Sequence, residues 1–184
     1  DMPPQDLHTI IFVLDTAQKE GEQNDFSVIS KWGLAGRCVY LLDMLRGKWE
    51  APDLLDVTRE FLSRHRPRRP FTARVRGVFI EDKSSGTGLI QSLRRIGALC
   101  DMPIIAMQRS RDKVSRVNDV LPFIRAGQLC VPASAPWLAA YMGELEAFSP
   151  AMTHSHDDQV DVTVDALNEL LQSGGGMSQG MDLS

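Results

Sequence analysis

A continuous apolar run, Thr9-Ile-Ile-Phe-Val-Leu14, ends on Asp15. Its β-branched residues and lack of alternation read as a strand buried on both faces, with a carboxylate at its end. Two further acidic groups stand in comparable places. Glu81 and Asp82 end the run Val78-Phe-Ile80, and His156-Asp-Asp-Gln-Val-Asp161 opens the last helical pattern. Carboxylates beside a core are costly unless something compensates them, and a divalent cation is the usual compensation. Strand ends converging on a helix can bring such groups within one ion's reach, an arrangement that points to metal-dependent phosphodiester chemistry.

The 184 residues, 43% apolar and 24% charged, fit one ordinary globular domain. No apolar stretch approaches the roughly 20 residues a membrane-spanning helix needs. The beginning of the chain lacks a basic-then-apolar signal pattern, so secretion is not expected. Cys38, Cys100 and Cys130 are isolated in apolar surroundings, with no Cys-x-x-Cys pair, and read as reduced core thiols of a cytosolic protein.

Charge is divided along the chain. All 20 Lys and Arg stand at or before Arg125, whereas eight of the 24 acidic residues follow it, leaving a body near +4 and a tail near −8. A basic body with a localised acidic cluster suits a protein that holds a polyanion and concentrates cations at one point.

Three strands are expected first: Thr9 to Asp15, Phe26 to Trp32 and Arg37 to Leu45, the last two separated by Gly33-Leu-Ala-Gly36. Short links make them an antiparallel meander. Helix, strand, helix, strand then follow over residues 51–65, 75–81, 89–99 and 103–107. Helix is also expected over 112–126, where Pro122 should kink or split it, and over 136–148 and 156–171, with a last short strand at 128–131. The result is a mixed α/β sheet, antiparallel and then parallel, flanked by helices. Residues 1–172 read as one domain and 173–184 as a flexible Gly- and Ser-rich tail.

Each candidate residue has an ordinary structural alternative. Asp15 could cap a turn. Glu81 precedes Asp82-Lys83-Ser84-Ser85-Gly86-Thr87-Gly88, whose glycines could admit a phosphate backbone to a helix N-terminus, though Ser84, Ser85 or Thr87 could simply cap that helix. If the strand continues, Glu81 and Asp82 point to opposite faces, so one of them joins the cluster. Asp158 and Asp161, three apart, share a helix face, as do Asp161 and Asp165; such like charges repel unless a cation sits between them. His154 and His156 could ligate a metal, but solvated loop histidines are the plainer reading.

Arginines 64, 66, 68, 69, 74 and 76 surround a proline turn, and Arg109, Arg111, Lys113 and Arg116 surround the start of a later helix. Phosphate contacts of this kind fix register without reading sequence. No nucleotide-hydrolysing P-loop, no Gly-x-Ser-x-Gly elbow and no dinucleotide fingerprint is present.

Asp on the first strand, Glu on the fourth and Asp-x-x-Asp on the last helix follow the order of ribonuclease H-like nucleases. Within that superfamily the chain resembles the C-terminal nuclease domain of a tailed-phage large terminase subunit. The resemblance rests on Phe12-Val-Leu-Asp15-Thr-Ala, Val78-Phe-Ile-Glu81-Asp-Lys-Ser-Ser-Gly-Thr-Gly88, Arg111-Asp-Lys113-Val-Ser-Arg116 and His156-Asp-Asp158-Gln-Val-Asp161. It implies a metal-dependent endonuclease that cuts concatemeric double-stranded viral DNA during genome packaging. Asp15, Glu81 and an Asp of the last motif would ligate two Mg²⁺ or Mn²⁺ ions, Asp158 being the first choice and Asp161 close behind. One ion would generate the attacking hydroxide and the other stabilise the leaving 3′ oxygen.

Lys113 and Arg116 match the basic motif of that family and would contact DNA phosphates, with Arg109, Arg68 and Arg69 as further contacts. Lys83 is a candidate for orienting the scissile phosphate. The implied partners are an N-terminal packaging ATPase, the small terminase subunit and the portal, in the host cytoplasm rather than in the virion. Nothing in the chain encodes the ATPase, so it reads as one domain of a larger protein. The competing readings are a Holliday-junction-resolvase-like nuclease, and a non-catalytic domain whose arginines form a DNA or protein docking face.

Overall fold

A computed structural model describes residues 6–17, 26–65, 73–97, 102–148 and 157–172. Six strands form one sheet in the order β5-β4-β1-β2-β3-β6. The strands are β1 (Thr9–Asp15), β2 (Ser27–Ala35), β3 (Cys38–Gly47), β4 (Arg74–Glu81), β5 (Ile104–Met107) and β6 (Leu129–Cys130). β1, β2 and β3 run as an antiparallel meander, while β4 lies parallel to β1, β5 to β4 and β6 to β3. The helices are α1 (Ala51–Arg64), α2 (Ser85–Ile96), α3 (Lys113–Arg125), α4 (Leu138–Ala147) and α5 (Asp158–Leu167), the last running into a π-helical turn, Asn168–Gln172. The mixed sheet expected from the sequence is the one observed, and no helix among the described residues is long and apolar enough to cross a membrane.

β1 is central, and Ile11 to Leu14 are wholly buried. Its alternate side chains serve two cores. Ile10, Phe12 and Leu14 pack with Leu54, Phe61 and Leu62 of α1 and Leu89, Ile90 and Leu93 of α2. Ile11 and Val13 pack with Val120 of α3, Tyr141 of α4 and Val160, Val162, Val164 and Leu167 of α5. Fully burying such a side chain contributes about 1.5–3 kcal/mol, which is why a run without polar interruption settles in the middle of three layers.

Local chemistry shifts several expected boundaries. β2 runs on through Gly33 to Ala35, and the hairpin turns on Gly36 and Arg37, where Gly36 takes φ +57°. Pro122 does not split α3: it costs one backbone hydrogen bond near the end of the helix, which closes a turn later at Gly127, φ +72°. α2 begins at Ser85, earlier than expected, and none of Ser84, Ser85 or Thr87 caps it. Ser84 makes no cap hydrogen bond, Ser85 donates to the Ala17 carbonyl, and Thr87 donates to Asp82 at 2.7 Å.

Gly86 has a definite packing role. A Cβ there would stand 2.1 Å from the Glu81 carbonyl oxygen, so the first turn of α2 lies directly on the end of β4. That closeness serves the chain's own backbone. Gly88 faces open space. Thermal melts of the two alanine variants should therefore diverge. Gly86→Ala is expected to cost about 1–3 kcal/mol through forced displacement, whereas Gly88→Ala, in a helix with room for a methyl group, should be neutral or add up to about 1 kcal/mol.

Candidate active site

Alternation along the sheet brings three strands to one place. Asp15 follows Ile11 and Val13 on the face covered by α5, and Glu81 follows Phe79 on that same face. Ile105 and Met107 of β5 pack against this core as well, and Arg109 lies two residues beyond that strand. The site therefore sits beyond the carboxyl ends of neighbouring parallel strands, the usual location for binding in open α/β sheets. α5 crosses above β1 and β2 and supplies Asp158, Asp161 and Asp165 from one side. Asp82 turns away to accept from Thr87.

Asp15, Glu81, Asp161 and Asp165 are 5, 8, 5 and 7% exposed, and all four face one guanidinium. Arg109 Nη1 donates to Glu81 at 2.7 Å and to Asp15 at 3.3 Å, and stands 3.8 Å from Asp161. Its Nη2 and Nε donate to Asp165 at 2.7 and 3.0 Å. Lys113 pairs with Asp161 at 2.6 Å and Asp157 at 2.5 Å, while Arg116 donates to Asp161 at 2.6 Å and Asp165 at 3.3 Å. Removing these ions from water is expensive, and each carboxylate is matched by a positive group.

The expected site residues divide accordingly. Asp15, Glu81 and Asp161 come together, joined by Asp165, which the sequence reading left out of the site. Its signal was present: it stands four residues after Asp161 and seven after Asp158, on the same helix face. Asp158 lies at the edge of the cluster. Its Oδ2 is buried without a hydrogen-bond partner, 3.8 Å from Arg46 Nη2. Asp157 and Asp158 stand at the start of α5, where acids favour the helix dipole. Capping here falls to Glu144 of α4, which accepts from the backbone amides of Gln159 at 2.6 Å and Val160 at 3.3 Å. Asp157 makes no cap hydrogen bond. Neither Glu144 nor Arg46 was singled out from the sequence, because both act across elements.

Of the residues expected on DNA phosphates, Lys83 is exposed after β4. Arg109, Lys113 and Arg116 turn inward, their side chains only 8, 13 and 10% exposed, and neutralise the carboxylates instead. Arg68, Arg69, His154, His156, Cys100 and the 173–184 tail lie outside the described residues.

Burial is the largest influence on the acids. It raises Asp15 to about 8, with Asp161, Asp158 and Glu81 adding to the rise and Arg109 opposing it. Burial likewise raises Asp158 to about 6, with Glu144 adding and Arg46 opposing. Asp165 is raised by burial against the pull of Arg109. Asp161 goes the other way: burial would raise it, but Arg109, Lys113 and Arg116 together hold it below the ordinary carboxylate range.

The donor set is chemically suited to a hard divalent cation, being all carboxylate oxygen, and the unpartnered Asp158 Oδ2 is an oxygen such an ion would satisfy. Among the described residues, however, no three acidic, His or Cys side chains stand ready around one point to hold an ion. Arg109 takes the centre.

Comparisons with known proteins bear on the whole arrangement. The family model for the terminase RNase H-like domain matches residues 13–170. The large terminase of the thermophilic bacteriophage D6E superposes with a TM-score of 0.68 at 13% identity over 92% of this chain; the match spans 42% of that protein. The human cytomegalovirus terminase nuclease domain, Mn-soaked and inhibitor-bound, gives 0.62 at 13% identity, covering 90% of this chain and 83% of that one. The large terminase nuclease of the thermophilic phage G20c, with bound zinc, gives 0.56 at 15%, covering 89% and 84%. At these identities the likeness is one of fold. No curated protein sequence matches the chain.

The pKa of Asp15 sets a pH window. Its ordinary value is 3.8, so between there and about 8 the folded chain keeps a proton that the unfolded chain has lost. Stability from this group is therefore complete at low pH and falls as pH rises through that window. Melting in EDTA should show Asp15→Asn gaining on the wild type from pH 5 to pH 8, by at most about 1.4 kcal/mol per pH unit, and levelling off above. A gap independent of pH would mean that Asp15 is ionised throughout.

Proposed function

The chain belongs to the terminase RNase H-like domain family, and on that premise we propose that it is a divalent-metal-dependent endonuclease that cuts concatemeric double-stranded viral DNA during genome packaging. The observation that carries the reading is the convergence of Asp15, Glu81, Asp161 and Asp165, from two strands and a helix, on a single cation position. Asp158 borders it with an oxygen that has no hydrogen-bond partner. Buried carboxylates gathered this closely are a poor stability device and a good ion cage.

Asp15, Glu81 and Asp158, with Asp161 or Asp165 beside them, would hold Mg²⁺ or Mn²⁺, as a pair of ions in the full reading. Bound there, such ions would supply an activated water and charge neutralisation at the leaving 3′ oxygen of a phosphodiester. The chain's own part is positional. β1 and β4 fix the Asp15 and Glu81 carboxylates to neighbouring backbones, and Glu144 anchors the start of α5 so that Asp158 is not consumed as a cap. Lys113 and Arg116 hold Asp161 ionised and oriented. Lys83, exposed beyond Glu81, is the side chain we assign to the scissile phosphate, and Lys113 and Arg116 would reach DNA only by exchanging carboxylate for phosphate.

In the complete protein this domain would work beside a packaging ATPase domain, with the small terminase subunit and portal as partners, in the host cytoplasm. The match to 42% of the D6E large terminase accords with that division of labour.

Plasmid cleavage with Mn²⁺, Mg²⁺ or EDTA tests the reading directly. Nicking and linearisation should require metal and fall at least ~100-fold in folded Asp15→Ala, Glu81→Ala and Asp158→Ala, since even outer-shell changes around a metal typically cost about 10–100-fold. Intact plasmid with either metal, or equal cutting by all variants, would transfer the domain to a docking role. Preference for four-way junctions over linear duplex would favour a resolvase.

A further inference from the structure

One side chain in the site is in the wrong place for an ion to enter. Arg109 Nη1 lies 2.7 Å from Glu81 Oε2 and 3.3 Å from Asp15 Oδ1, the same oxygens a divalent ion would take. Hard cations bind such oxygens at about 2.0–2.6 Å, so an ion there would stand within a few ångströms of the guanidinium. Two cations at that separation in a buried site repel strongly. The guanidinium and the ion cannot share the cage.

The surroundings supply an exit. Arg109 belongs to a stretch without regular structure between β5 and α3, so its backbone is not tied into the sheet ladder. A cavity of about 340 Å³ adjoins it, lined among others by Arg109, Ser110, Arg111, Asp165 and Glu169. Asp165 therefore borders both the cage and the cavity. A guanidinium that keeps its two hydrogen bonds to Asp165 while releasing Glu81 and Asp15 would pivot toward that space, which Arg111 and Arg116 also line and where the Glu169 carboxylate is shared with Arg76.

We propose that Arg109 is a built-in competitor of the metal, its guanidinium occupying the ion position between Asp15, Glu81, Asp161 and Asp165 until it withdraws, pivoting on Asp165, into the adjoining cavity. The idea rests on the reading of these carboxylates as a metal cage. It makes the metal-free domain stable at the expense of metal affinity. If the withdrawn state makes up a fraction of the molecules, apparent affinity is reduced by that fraction.

Two quantities must then move in opposite directions when the positive charge is removed. Arg109→Gln keeps much of the side-chain length and polarity without the charge. In EDTA it should melt several degrees below the wild type, because four buried carboxylates lose their shared counter-ion. Its Mn²⁺ affinity, measured by calorimetric titration of the full chain, should be about tenfold tighter or more, as for a competitor withdrawn in one molecule in ten. Its Mn²⁺-induced rise in melting temperature should exceed that of the wild type.

Asp15→Asn serves as the control for the cage itself. Wild-type binding lost in Asp15→Asn, with Arg109→Gln binding no tighter than wild type, overturns the competitor while leaving the metal site intact. Absence of Mn²⁺ binding in wild type and Arg109→Gln alike removes both. Should Arg109→Gln not fold without metal, the wild type decides. The Arg109 Nη1 protons, followed by nitrogen-15 NMR, are expected to be protected from exchange in EDTA and to lose that protection as diamagnetic Mg²⁺ is added, while the Nε–H stays on Asp165. Nη1 protection unchanged at saturating Mg²⁺ would overturn the proposal.

Discussion

Four buried carboxylates cannot share a pocket without positive charge among them, and in this domain Arg109 supplies most of it. Its guanidinium reaches Asp15 on β1, Glu81 on β4, and Asp161 and Asp165 on α5, so one side chain ties the ends of two strands to the helix that covers them. Lys113 and Arg116, at the start of α3, add a second layer of neutralisation around Asp161. The arrangement explains why Asp161 is held ionised while Asp15, farther from Lys113 and Arg116 and surrounded by other acids, is pushed up to about 8. It also explains the inward turn of three basic residues whose place in the sequence suggested phosphate contact.

The packing beneath the cluster makes this possible. β1 is sealed between α1 and α2 on one side and α3, α4 and α5 on the other, and its residues divide between two cores by simple alternation. The carboxylates inherit their orientation from that division. Asp15 continues the Ile11 and Val13 side, which faces α5. β4 reaches the same side by a less regular route. Its register against β1 shifts between Ile10 and Ile11, skipping Arg76, so Val75 and Val78 fall on one face although they are three residues apart. After that shift Phe79 and Glu81 face α5. Counting from the start of the strand without the bulge would send Glu81 to the wrong layer.

Much was legible in the residues themselves. The unbroken run of β1, the antiparallel order of the first three strands and the parallel strands that follow were all readable, because apolar periodicity and short links are local properties. Boundaries were less so. The hairpin turns on Gly36 and Arg37 alone rather than over the whole link of residues 33–36, since strand pairing through Ala35 outweighs the turn signal of Gly33. Pro122 stays within α3, where packing of Val120 and its neighbours compensates for one missing hydrogen bond. Gly86 looked like an opening for a phosphate, and its physical reason is the carbonyl of Glu81 lying against it.

The sequence by itself marked the acids that gather beneath α5: Asp15 and Glu81 at strand ends and Asp158 and Asp161 on one helix face, with Asp165, a turn further along that face, left out. Spacing and hydrophobic context are encoded residue by residue, and they suffice to mark carboxylates that burial will strain. Tertiary structure alone decided how that strain is relieved. Which cation reaches which carboxylate depends on the bulge in β4, the path of the chain after β5 and the angle of α5 across the sheet, and none of these has a local signature. That is why Arg109, Lys113 and Arg116 read as surface charges in the chain and serve as internal counter-ions in the fold.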